Sequence, residues 1–231
     1  MGTRKQREQD FRHSVGGSAW ALSPDLLQSA FALLKQALDD RRSRVFSSPV
    51  NHFSPHSVSS LFLVATAFDA WLAEAASTAE WSGVAGMKDH ALLDTRQKFE
   101  ILTGLGTDPL RVDLSLLVDV RNEVAHYRPR KPSGDDVPPW LSALDDRRLL
   151  ITAGVAPGFS FSQRLPSYAL AYWAWQVAER CVEAVVQALP PRGSVIVSHT
   201  SANFEKYRFC CAPESLDEYD QAHGISPTVS A

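Results

Sequence analysis

The segment SPHSVSSLFLVATAFDAWLAEAAS, residues 54–77, leaves a chain of this kind few ways to fold. Leu61, Val64, Phe68, Trp71, Leu72 and Ala75 recur every three or four residues, the spacing of one helical face, with none of the strict alternation of a half-buried strand. Ser54-Pro55 opens the segment with a capping hydroxyl and a residue whose φ is already helical. A helix this apolar needs other elements to cover it, so the expectation is a central core helix.

The rest of the chain supplies those elements. Ser23-Pro24-Asp25 repeats the same start signal and predicts a helix to about Arg42. A third helix is expected around Asp89 to Thr103, with Leu92, Leu93, Phe99 and Leu102 on its apolar side and a stop at Gly104 and Gly106. A fourth begins near Asp108-Pro109 or Asp113 and runs through Arg121 to His126. WLSALDDRR reads as a short helix, and Pro166 to Leu189 as the last long one, with Ala171, Trp175, Ala178, Val182, Val185 and Leu189 on one stripe. Short connections between segments of one period predict an all-α fold, an antiparallel bundle of four to five helices. RLLITAGVAPGFSFSQRL has two short β-like runs around a Gly/Pro turn, compatible with a small hairpin.

This organisation divides the chain into a polar N-terminal arm, 1–22, a helical domain, 23–190, and an extension, 191–231, whose two β-like runs suggest no function. With 231 residues and 45% hydrophobic side chains there is material for one sizeable core with flexible tails. The longest apolar run, Leu61 to Ala73, is interrupted by Thr66 and Asp69 and falls short of the roughly 20 residues that cross a bilayer. The N-terminal MGTRKQREQDFRH has no apolar signal segment, and Gln6 stands where a myristoylation motif has Ser or Thr. Cys181, Cys210 and Cys211 suit neither a disulfide framework nor a spaced zinc site. A cytoplasmic protein with no membrane partner is expected. Twenty-three basic against 26 acidic side chains, net −3, give no global basic field, so any nucleic-acid contact has to use a local patch.

The fourth helix carries the feature that needs explaining. At ~100° per residue, Leu110, Leu114, Leu117, Val118, Val124 and Ala125 share one broad face, and Arg121 falls near its centre. An unpaired guanidinium buried there would cost several kcal/mol, roughly what stripping a partner from a buried pair costs, so it must meet a carboxylate, a second chain or an anion. Asn122 and His126 are i and i+4 along one edge of that face. Asp69, the only charge between Leu61 and Ala73, is the candidate partner of Arg121. These residues fit two readings: a structural Asp-Arg pair with a histidine favoured by the helix dipole, or a site holding a permanent cation beside a titratable imidazole.

Arg121-Asn122-Glu123-Val124-Ala125-His126 resembles the R-x4-H motif of the HEPN superfamily, including the polar residue directly after the arginine. The setting is similar too: an apolar helix with an internal acid, Asp69, precedes it, and an amphipathic helix with Tyr168, Tyr172, Trp173 and Trp175 closes the domain. The likeness spans Ser54 to Leu189 in outline, with the six-residue motif as its specific part. It implies a helical bundle that dimerises through the motif helix, and a metal-independent endoribonuclease of toxin-antitoxin or anti-phage defence type with no cofactor. Arg121, Asn122 and His126 of both chains would form the catalytic site, supported by Asp69, on an RNA substrate cleaved by its own 2′-hydroxyl. Tyr127, Arg128, Arg130 and Lys131 would contact RNA, with Trp140 as a further stacking candidate, and an antitoxin or regulatory protein is a possible partner. Some relatives regulated by nucleotide transfer carry a tyrosine two residues after the histidine; here that position is Arg128. Because the superfamily also contains non-catalytic members, a helical module binding a partner protein or a nucleotide is the rival expectation.

Other signals carry less. His52 and His56 have helical spacing, but Pro55 lies between them and no acid or cysteine completes a metal set, so capping or surface roles are expected. GVAGMKD has its glycines and lysine too close together for a phosphate loop and reads as a connection between helices. No serine or cysteine sits in a local base-bearing motif.

Overall fold

The computed structural model describes residues 23–43, 54–81, 83–126, 138–151 and 164–189. Among these the protein is all-α, with no strand: α1 (Ser23–Ser43), α2 (Pro55–Trp81), a single 3-10 turn (His90–Leu92), α3 (Thr95–Thr103), α4 (Pro109–Ala125), α5 (Pro139–Asp146) and α6 (Tyr168–Ala188). The N-terminal arm, the C-terminal extension, most of the expected hairpin and the basic loop after His126 lie outside the described residues.

α2 is the central element and packs on α1, α3, α4, α6 and the 3-10 turn. All six residues of its expected stripe are buried, Phe68, Trp71 and Leu72 almost completely. Its buried leucine, valine and phenylalanine side chains each contribute roughly 1.5–3 kcal/mol by leaving water. Pro55–Ser77 is long and apolar enough to cross a membrane by length and composition, which corrects the expectation that no segment approaches that limit. Half of that stretch is buried inside the protein, as in a core helix. α6 covers it with Ala171, Trp175, Ala178, Val182 and Val185, and Trp175 meets Phe31 of α1 with ring centroids 5.6 Å apart.

Polar side chains fix how the helices join. Ser60 donates to the Ala30 carbonyl at 2.9 Å, tying α2 to α1. Ser54 and His56 both reach one oxygen of Asp40, at 2.7 and 2.8 Å, which pins the start of α2 to the end of α1. Asp113 of α4 takes Arg147, just after α5, and Arg180 of α6 on its two oxygens, at 3.1 and 3.0 Å.

The expected third helix is shorter than its apolar pattern. Asp89 is left-handed (φ 65°), the 3-10 turn follows, and α3 begins only at Thr95. The cause is a capping box: Asp94 accepts from the Gln97 N–H at 2.8 Å while the Gln97 side chain accepts from the Asp94 N–H at 2.9 Å. Leu92, placed by its spacing on the core side, is 86% exposed, whereas Phe99 and Leu102 are buried. Gly104, at φ 71°, closes α3 in the conformation that costs glycine least.

Candidate functional site

α4 starts where Asp108 caps it, accepting from the Leu110 N–H at 2.7 Å with Pro109 at the first helical position. Its buried residues are Leu114, Leu116, Leu117 and Val120. That face is rotated from the expected one: Leu110, Val118 and Val124 are only half-buried and Ala125 is exposed. Arg121 therefore lies at the margin of the packed face, not at its centre, and its side chain keeps 21% exposure. The rotation comes from Leu116 and Val120, which pack inward on the flank that an Arg121-centred face would leave outside.

The pairing expected from sequence is present. Arg121 Nη2 donates to Asp69 Oδ2 at 3.4 Å, and Thr95 Oγ1 donates to Asp69 Oδ1 at 2.5 Å, so one carboxylate joins α2 to both α3 and α4. Thr95 is buried and Asp69 half-buried. That 3.4 Å bond is the one hydrogen bond the guanidinium makes among the described residues, and its Nε–H is buried with no acceptor.

Arg121, Asn122 and Asp69 border an open cleft of about 320 Å³ between α4 and the start of α3. Its opposite wall, which the sequence did not single out, carries Thr95, Arg96 and Lys98. Arg96 donates through Nη2 to the Ser115 carbonyl at 3.2 Å and to Asp119, and its Nε–H is also buried without an acceptor. One signal was available: Arg96 and Lys98 occupy the first turn of α3, where the helix dipole disfavours cations. The lining is charge-balanced rather than basic, with Asp69, Asp94 and Asp119 against Arg96, Lys98 and Arg121.

Asn122 and His126 are exposed at the last turn of α4. They are joined by the backbone bond from the His126 N–H to the Asn122 carbonyl, 2.9 Å, with His126 as the C-cap. His126 does not line the cleft, so within one chain Arg121 and Asn122 share a cavity and His126 stands beyond its end. Tyr127, Arg128, Arg130 and Lys131 lie outside the described residues. Past the cleft, Val58, Phe62 and Leu63 of α2 and Val124 and Ala125 of α4 line an open apolar groove of about 440 Å³.

A second constellation was not legible from spacing. Ser77 Oγ is 3.0 Å from His90 Nε2, and Glu80 Oε2 is 2.9 Å from Nδ1, the order of a serine-histidine-acid relay. Ser77, however, donates its one hydroxyl proton to the Ala73 carbonyl at 3.0 Å, so Nε2 must be the donor and cannot serve as its base. Glu80 lies close to Nδ1, but Nδ1 has no hydrogen-bond partner of acceptable geometry, so the carboxylate does not complete a relay. The cluster clamps the 3-10 turn to α2.

No protein-family model, curated protein or solved structure matches this chain. What can be said of its class is that it is an all-α protein with an Asp69–Arg121 pair at the mouth of a polar interhelical cleft.

Proposed function

We propose that the protein is a HEPN-type helical bundle acting as a metal-independent endoribonuclease of toxin or anti-phage defence type, working as a cytoplasmic homodimer. The observation that carries this reading is the open placement of the motif: Arg121 at the lip of a cleft, with one of its five N–H groups bonded among the described residues, and Asn122 and His126 exposed beside it. A purely structural arginine would be expected to spend more of its donors inside the fold. A second copy apposed along α4 would bring its own His126 toward the cleft, and the apolar groove at Val58, Phe62, Leu63 and Val124, contiguous with the end of the motif, supports such a seam.

RNA supplies the nucleophile, its 2′-hydroxyl, and a cyclic phosphate and a free 5′-hydroxyl are the products. His126 moves the proton. Arg121 stabilises charge building on the phosphorane oxygens, and Asn122 orients the imidazole or the phosphate. Tyr127, Arg128, Arg130 and Lys131 follow directly and supply stacking and phosphate contacts. An antitoxin or regulatory protein would bind over this face.

The full chain, incubated with RNA in the presence of a chelator, is expected to yield fragments ending in 2′,3′-cyclic phosphate. His126→Ala and Arg121→Ala should lower the rate by at least about 10²-fold, the usual weight of an acid-base group, with the fold retained. No cleavage by wild type, or cleavage surviving both substitutions, overturns the reading. The Asp69–Arg121 bond favours the rival, a non-catalytic binding module with a structural pair. Loss of folding in Arg121→Ala alone would decide for that rival.

A further inference from the structure

The cleft holds more hydrogen-bond donors than the fold can satisfy. Its carboxylates are committed: Asp94 to the capping box, Asp119 to Arg96, and Asp69 to Thr95 and Arg121. Its cations are only partly so: among the described residues Arg121 spends one of five N–H groups, Arg96 uses only Nη2, and the Lys98 ammonium has no ion pair. The Nε–H groups of both arginines are buried and lack acceptors. Surplus donors on two facing walls call for a ligand rich in acceptors and negative charge.

We infer that Arg96 and Lys98 of α3 form a second phosphate-binding wall opposite Arg121, so that the cleft seats a backbone phosphate of the RNA next to the one being cleaved. This rests on the ribonuclease reading for the identity of the ligand. The Arg96–Asp119 pair acts as a placeholder. Asp119 is exposed, 47%, and Arg96 partly so, 30%, so solvent weakens the pair and a phosphate can take over the guanidinium at modest cost. The first-turn position of the two cations, unfavourable in the empty protein, then becomes an advantage, because a phosphate between them and the N-terminus of α3 meets both charges and the dipole.

The opposite signs of two substitutions test this. Binding of a short, uncleavable 2′-O-methyl RNA to the full chain is followed by fluorescence anisotropy across a salt series. Arg96→Gln should weaken binding about tenfold and lower the salt slope by about 0.7, one single-strand phosphate contact, while cleavage loses in KM and keeps kcat. Asp119→Asn frees Arg96 and should tighten binding several-fold. A structural pair predicts the reverse for Asp119→Asn, loss of stability with affinity unchanged or weakened. Unaltered affinity in folded Arg96→Gln, weaker binding in Asp119→Asn, or no binding by wild type overturns the inference; if Arg96→Gln does not fold, Lys98→Gln and Asp119→Asn carry the same decision. Wild type that binds and responds to Arg96 but does not cut would refute the nuclease and leave the phosphate wall standing.

Discussion

Asp69 stands between Thr95 and Arg121, accepting from the hydroxyl at 2.5 Å on one oxygen and from the guanidinium at 3.4 Å on the other. The shorter, partly buried contact ties α2 to α3, and the longer one leaves the arginine free to trade partners. Asp69 thus links the packing of α2, α3 and α4 to the lining of the cleft.

Asp69→Ala should destabilise the fold by about 1–3 kcal/mol, because it leaves Thr95 without its acceptor and Arg121 without its counter-charge. Asp69→Asn can keep the Thr95 bond and should cost less. A double-mutant cycle with Arg121→Ala, read by urea unfolding, should give a coupling of about 1 kcal/mol or below, the range of partly exposed pairs. A coupling of several kcal/mol would instead mark a buried structural pair.

The long periodic helices were legible because burial selects apolar residues at fixed angular positions. The stripes of α2 and α6 match residue for residue, and Asp69 was singled out as the partner of Arg121 from its isolation in an apolar run. Two things were not legible. The exact rotation of α4 depends on the burial of Leu116 and Val120, which turns Arg121 away from the centre where its other apolar neighbours place it. The Arg96 wall depends on α3 starting at Thr95, a choice made by the local capping box of Asp94 and Gln97 against the apolar pattern of Leu92 and Leu93.

That choice predicts a contrast in stability. Leu92→Ala, at a position 86% exposed, should change unfolding free energy by no more than about 0.5 kcal/mol. Leu117→Ala, at 1% exposure, should cost about 2–5 kcal/mol through lost burial and a cavity. Equal effects of the two, measured by chemical denaturation, would restore the longer helix that the spacing suggests.

The ends of α3 can be weakened separately. Asp94→Ala removes the acceptor for the Gln97 N–H and should cost about 1 kcal/mol. Gly104→Ala meets nothing within 4 Å, so its cost, again about 1 kcal/mol, is the strain of φ 71° alone. Both should raise amide exchange in α3 more than in α2. Because Thr95, Arg96 and Lys98 ride on this helix, the phosphate wall proposed above requires Asp94→Ala to weaken RNA binding by a smaller factor than Arg96→Gln.

Cys181 gives a pH prediction with a definite sign. It is fully buried in α6, and burial drives its thiol far above the ordinary value of 9.0, with Arg180 opposing and Asp113 reinforcing the effect. A group whose proton is held more tightly in the folded state contributes stability that is complete below the unfolded value and is lost as pH rises above it. Unfolding free energy should therefore fall above pH about 9, and part of that fall should disappear in Cys181→Ala, which isolates it from the tyrosines and lysines titrating in the same range. At neutral pH, in a Cys210→Ser/Cys211→Ser background, a maleimide should leave Cys181 unmodified until denaturant is added. Rapid labelling of the native protein would mean that α6 opens far more readily than its packing against Trp71 and Phe31 allows.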